Sequence, residues 1–174
     1  MLGGKPGWAL NGQIAYLPDR ARWYPNHTAQ QAFEWGASFL PGFEPDAAHK
    51  LAAYMDVDLG MKLGAMSRGQ EARVLLILCL ARNVPLLVLD EPFAGIDILS
   101  REAIIAGMLD RLEERRQTVL ISTHDIAEVE GMFDYTVMMD KGRAIWSGDT
   151  ERLRAEYGSI QQVFRNMYTK GWKQ

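Results

Sequence analysis

The stretch Leu86-Leu87-Val88-Leu89, closed by Asp90-Glu91-Pro92, constrains the fold more than any other part of this chain. A strand with one wet face alternates apolar and polar residues. Four apolar residues in a row mark a strand covered on both faces, which occurs in parallel sheets packed between helices. Pro92 cannot donate to a ladder and ends the strand. Two carboxylates then stand at the carboxyl edge of the sheet, where open parallel sheets bind their ligands. Adjacent residues at a strand end point in different directions, so Asp90 can face a Mg²⁺ ion while Glu91 faces an attacking water. A strand ending in a solvated acidic turn is the alternative.

The remaining pattern supports an α/β, doubly wound chain. Gln13–Leu17 reads as a short strand ending at Pro18, and Arg20–Pro25 as a loop. Thr28 with Gln31 forms a capping-box pattern ahead of a helix carrying Phe33, Trp35 and Phe39, which stops near Pro41-Gly42. Asp46–Met55 is a second short helix, and the stretch from about 28 to 65 carries no strand pattern. Ser67–Arg82 reads as a buried helix, Leu99–Arg115 as an amphipathic one, and Thr118–Ser122 as a β-branched strand. A helix over Ile126–Met132 and a third strand over Tyr135–Met139 complete the alternation. Lys141-Gly142 turns the chain into Ala144–Trp146, and Glu151–Glu156 and Ile160–Met167 are closing helices.

Composition narrows the function classes. At 174 residues, with 48% hydrophobic and 24% charged, the chain suits one globular domain. A net charge of −3 argues against a nucleic-acid binder that relies on bulk charge. The single cysteine, Cys79, excludes a disulfide framework and a cysteine-based zinc site, and fits a reducing compartment. The opening residues lack the apolar core of a secretory signal. The longest apolar run, Val74–Ala81, has eight residues against the roughly 20 of a bilayer span, so a membrane role would go through a partner.

Three further motifs fall at informative positions. Met66-Ser67-Arg68-Gly69-Gln70 opens the long helix, where backbone N–H groups and the positive dipole end suit a phosphate; a plain capping box, Ser67 with Gln70, is the alternative. Ser122-Thr123-His124-Asp125 follows a strand, so His124 is either a phosphate contact or a structural cap. Gly95-Ile96-Asp97 lies just beyond Asp90 and by itself is a turn.

In order and spacing the set resembles the ATP-binding subunit of ABC transporters over about residues 13–148. MSRGQ resembles the family's LSGGQ signature, LLVLDEP the Walker B strand, AGID the D-loop and STHD the histidine switch. IAYLPD resembles the approach to the Q-loop, with Asp19 where the family has Gln or Glu. The resemblance implies ATP and Mg²⁺ as ligands. Asp90 would hold the metal, Glu91 would polarise the attacking water and His124 would contact the γ-phosphate. Ser67, Arg68, Gly69 and Gln70 would face the nucleotide of a second ATPase subunit in a head-to-tail dimer, with Asp97 at that interface. Asp19 is shorter than Gln by a methylene and charged, and Arg68 stands where the family has a small residue.

The resemblance also implies what is missing. No G-x-x-x-x-G-K-[ST] phosphate loop occurs, since Gly3-Gly4-Lys5 is followed by Pro6 and has no strand before it. The sequence therefore reads as a partial ABC ATPase domain: a helical lobe at about 28–80, a core at about 84–150, and C-terminal helices at 151–174. Truncation is the preferred explanation, because Asp90, Glu91 and His124 are intact; a degenerate paralogue and one half of a composite site are the alternatives. Resemblance places the phosphate-loop strand between Thr118–Ser122 and Tyr135–Met139, leaving an open edge on the former. The expected function is ATP hydrolysis coupled to a membrane-spanning subunit at the inner face of the cell membrane, docked near Arg22–Pro25. The ending Gly158–Tyr168 resembles exporter ATPases. An ABC-derived regulatory protein or a non-transport ABC ATPase fragment is the alternative.

Overall fold

The computed structural model describes residues 4, 6–115, 117–127 and 129–170. They fall into two compact units, Met1–Thr123 and His124–Gln174. In the first, β1 (Ile14–Leu17), β2 (Leu86–Asp90) and β3 (Thr118–Ser122) form a parallel sheet in the order β1-β2-β3. Leu86 pairs with Ile14 on one side and Thr118 on the other, and the register runs on to Asp90 opposite Ser122.

The helices of this unit begin where local chemistry puts them. Thr28 Oγ1 accepts from the Gln31 amide (3.2 Å) and Gln31 Oε1 from the Thr28 amide (2.9 Å), which starts α1 (Ala29–Phe39). Past its end, Gly42 adopts φ +73°, and a Cβ there would lie 2.7 Å from the Asn83 carbonyl oxygen, so only glycine fits. α2 (Pro45–Tyr54) starts with proline in its first turn. α3 (Arg68–Leu80) is buried at every position from Val74 to Leu80 and packs on β1, α1 and α2. Its last carbonyls are met by α4 (Ile98–Arg115): Arg111 Nε donates to the Leu80 carbonyl (2.8 Å) and Nη2 to that of Ala81 (3.5 Å). Glu44 pairs with both Arg115 and Arg111, whose guanidinium groups hold its carboxyl below the usual range.

The second unit is a hairpin with two helices. β4 (Tyr135–Asp140) pairs antiparallel with β5 (Arg143–Asp149), followed by α5 (Thr150–Tyr157) and α6 (Ile160–Lys170). Lys141 (φ +46°) and Gly142 (φ +76°) make a two-residue turn of the kind that matches strand twist. Ile126, Met138, Leu153, Ile160 and Val163 form its core.

Two sequence expectations have different outcomes. Tyr135–Met139 is a strand as expected, and across the Lys141-Gly142 turn it pairs antiparallel with β5 in a separate two-stranded sheet. The helix expected over Ile126–Met132 does not form among the described residues of that span, of which Glu130–Met132 makes a 3₁₀ turn.

Candidate functional site

The end of β2 is held by the end of β3. The Ser122 hydroxyl donates to the Asp90 carboxylate, Thr123 Oγ1 donates to Glu91 Oε2 (3.0 Å), and the Glu91 amide donates to the Ser122 carbonyl (2.9 Å). Glu91 sits at φ +48°, a left-handed conformation costing a non-glycine residue roughly 1–3 kcal/mol. The turn after it is anchored by buried Phe93 and Ile96, whose backbone groups bond to each other (3.1 Å). The two neighbouring carboxylates are thus tied to two different hydroxyls, which separates their directions as adjacent strand-end positions require.

These carboxylates line a cleft of about 680 Å³ bounded by the end of β1, the start of α3 and the loop after β2. Asp19, Arg20, Arg22 and Arg68 line it too. The structure therefore brings Asp19, Arg68, Asp90 and Glu91 to one place. Asp19 pairs with Arg20 (3.7 Å), and Arg22 with Glu71 (2.5 Å), at the edge of the same cleft. Arg68 is exposed at the first position of α3.

At the head of α3, Ser67 and Gln70 satisfy each other in a capping box, Ser67 Oγ accepting from the Gln70 amide (3.2 Å) and Gln70 Oε1 from the Ser67 amide (2.8 Å). Both side chains are engaged within the helix start. Gly69 has a packing reason as well: a Cβ there would lie 2.8 Å from the Gly95 carbonyl oxygen, so the helix start and the loop after β2 meet backbone to backbone. Asp97 accepts from the Ser100 amide (3.0 Å) and hydroxyl (2.6 Å) at the start of α4, and from Arg73 Nη2 (3.0 Å). The Ser100 bonds, with the Arg73 guanidinium adding to them, hold its carboxyl below the usual range.

Arg73 is the functional-region residue that sequence reasoning missed. It also donates to Ser100 Oγ (2.7 Å) and the Met55 carbonyl (3.1 Å), joining α3, α4 and the end of α2. Its signal was a lone arginine at the edge of the apolar run beginning at Val74.

His124 belongs to the second unit. It is exposed and lines a smaller cleft, of about 350 Å³, with Asp125, Ile126 and Ala127 facing Gln161, Phe164 and Arg165 of α6.

Carboxylate and hydroxyl oxygens at a sheet edge fit a hard cation held largely through water, so Asp90, with Glu91 and Ser122 beside it, suits Mg²⁺. No group of three or more His, Cys, Asp or Glu that could hold a metal occurs among the described residues. The same residues offer only part of a phosphate cradle, since the glycine-lysine loop is absent from the sequence.

The sequence profile described as "ABC transporter" matches residues 5–94, more than half of the chain. Among similar proteins is the thiamine import ATP-binding protein ThiQ of Shigella flexneri serotype 5b, 31% identical over 135 residues, covering 74% of this chain and 58% of that protein. The ABC transporter ATP-binding protein YtrB of Bacillus subtilis is 27% identical over 151 residues, covering 87% and 52%. In fold, a dimeric ATP-binding cassette, MJ0796, bound to ADP and Pi, superposes with a TM-score of 0.70 at 21% identity, covering 84% of this chain and 68% of that one. The chain belongs to the ABC transporter ATP-binding family. It spans just over half the length of the curated relatives it matches.

Proposed function

We propose that this chain is part of the ATP-driven motor of an ABC transporter, working at the inner face of the cell membrane with a membrane-spanning subunit and a second ATPase subunit. The observation that carries the reading is the convergence of Asp19, Asp90 and Glu91 on one cleft beside the start of α3. Asp90 is the Mg²⁺ residue, and the metal's contribution when bound is to neutralise charge developing on the phosphates. Glu91 orients and polarises the attacking water, with Thr123 holding its carboxylate. His124 contacts the terminal phosphate, and Asp97 serves the dimer interface. Ser67, Arg68, Gly69 and Gln70 face the partner's nucleotide. Similarity to a dimeric cassette bound to ADP and Pi supports dimerisation and nucleotide binding. No described helix is long and apolar enough to cross a membrane.

Export is the favoured direction, on the ending Gly158–Tyr168. Similarity to ThiQ, named as an import protein, favours import as the second reading, and the direction of ATP-dependent substrate movement in oriented vesicles decides between them.

The chain as given lacks the phosphate loop, which removes several charge-assisted bonds of roughly 1.5–3 kcal/mol each, so Mg-ATP affinity should fall by a factor on the order of a thousand or more. Calorimetry on the 174-residue chain should give no isotherm at submillimolar Mg-ATP; a micromolar isotherm would reveal a phosphate site of another kind. With a phosphate-loop segment supplied, Glu91→Gln should keep nucleotide binding and lose phosphate release by about a hundredfold or more. Near-normal turnover would remove Glu91 from its role.

A further inference from the structure

We propose that α6 positions the loop carrying His124, and that Glu130 is the clasp between them. This inference rests on the reading of His124 as a phosphate contact and adds to it the part of the molecule that sets where His124 stands.

The segment from His124 to Met132 lacks a regular helix among its described residues, so a ladder of backbone bonds does not hold it in shape. Among the described residues it closes on itself where the Val129 and Glu130 amides donate to the Ile126 carbonyl (3.1 and 2.9 Å) and the Met132 amide to the Val129 carbonyl (3.0 Å). Further tethers run to the C-terminal helices. Ile126 is buried in the cluster that contains Ile160 and Val163 of α6. Glu130 Oε2 accepts from the Gln161 amide (3.2 Å), an otherwise orphaned N–H in the first turn of α6, where the helix dipole favours a carboxylate. The Glu130 carbonyl accepts from Arg154 of α5. Between these two anchors and the histidine, Gln161, Phe164 and Arg165 form the opposite wall of the cleft that His124 and Asp125 line. A shift of α6 therefore moves the loop at both anchors, and His124 with it.

The test uses the full 174-residue chain. NMR of the imidazole Cε1–H signals, with His124 identified by its loss in His124→Gln, reports where the ring stands. Glu130→Ala should move the His124 signal toward its value in unstructured peptide and speed amide exchange at residues 125–127 by about fivefold, the size of a lost helix cap. Glu130→Gln, which keeps an acceptor, should restore at least half of both changes. His27 and His49, in the first unit, should not respond. An unmoved His124 signal in Glu130→Ala overturns the proposal, and so does a Glu130→Gln variant no better than alanine. Should Glu130→Ala fail to fold, Glu130→Asp, whose carboxylate is one methylene shorter than the reach to the Gln161 amide, takes its place; a displaced His124 signal then supports the proposal and an unchanged one overturns it. These readouts need no nucleotide, so the two readings fail separately. A His124 that follows Glu130, while His124→Ala in a protein supplied with a phosphate-loop segment keeps normal phosphate release, would refute only the reading of the site. Phosphate release lost on His124→Ala in that protein, with a His124 signal indifferent to Glu130, would refute only this inference.

Discussion

β2 and β3 are both five residues long, both apolar in their interiors and paired along their whole length, yet they live in different environments. β2 has a neighbour on each side, with Leu87 and Leu89 1% and 0% exposed. β3 has β2 alone among the described residues, and Leu120 is 58% exposed. Leu120 pairs with half-buried Val88 on the face that also carries exposed Tyr16, opposite the face of Leu87 and Leu89, so the face a residue occupies sets its burial as much as its strand's place in the sheet. The site uses both: the enclosed strand delivers Asp90 and Glu91, and the open one delivers the Ser122 and Thr123 hydroxyls that orient them. A rigid position is thus tuned by a strand with less support.

The largest test of that contrast is a pair of truncations. Leu89→Ala removes a fully buried side chain and should cost about 2–5 kcal/mol in denaturant unfolding. Leu120→Ala should stay within about 0.5 kcal/mol. Equal costs would mean that something covers β3 in solution.

Hydrogen exchange sharpens the comparison at the backbone. An edge with unpaired N–H and C=O groups is a template for another chain and opens more readily than a central strand. Amides of Thr118–Ser122 should exchange on the order of tenfold faster than those of Leu86–Leu89. Equal protection in a monomer would show the edge closed over; equal protection in a dimer would show self-pairing through it.

Acid gives the smallest effect. Arg115 and Arg111 hold the Glu44 carboxyl below its ordinary value of 4.5, so the contribution is complete above that pH and lost as pH falls through the lowered folded value. Both arginines lie near the end of α4, a few residues before β3 begins. Between pH 4.5 and lower values, β3 amides should therefore lose protection before β2 amides do. The reverse order would place the acid-sensitive contact elsewhere.

Much of the fold was legible because it depends on neighbours in sequence. Thr28 with Gln31 and Ser67 with Gln70 form the boxes their spacing predicts, and Lys141-Gly142 turns where expected. Leu86–Leu89 is the central strand expected, but it is buried on one face alone: Leu87 and Leu89 are buried, while Val88 is half-buried on the face it shares with exposed Tyr16 and Leu120. Each is decided within a handful of residues, by hydrogen-bond geometry or by a short apolar run.

The tertiary structure decided the rest. It left the described residues of 126–132 in turns, with Ile126 in the same apolar cluster as Ile160 and Val163. Gly69 against Gly95, Arg73 on Asp97 and Ser100, and Glu44 between Arg111 and Arg115 join residues too distant along the chain for periodicity to reveal. A cap or a tight turn is settled by the conformation of a few adjacent residues. A carboxylate's partner is settled only when packing brings another element within about 3 Å of it, and residue spacing along the chain carries no trace of that approach.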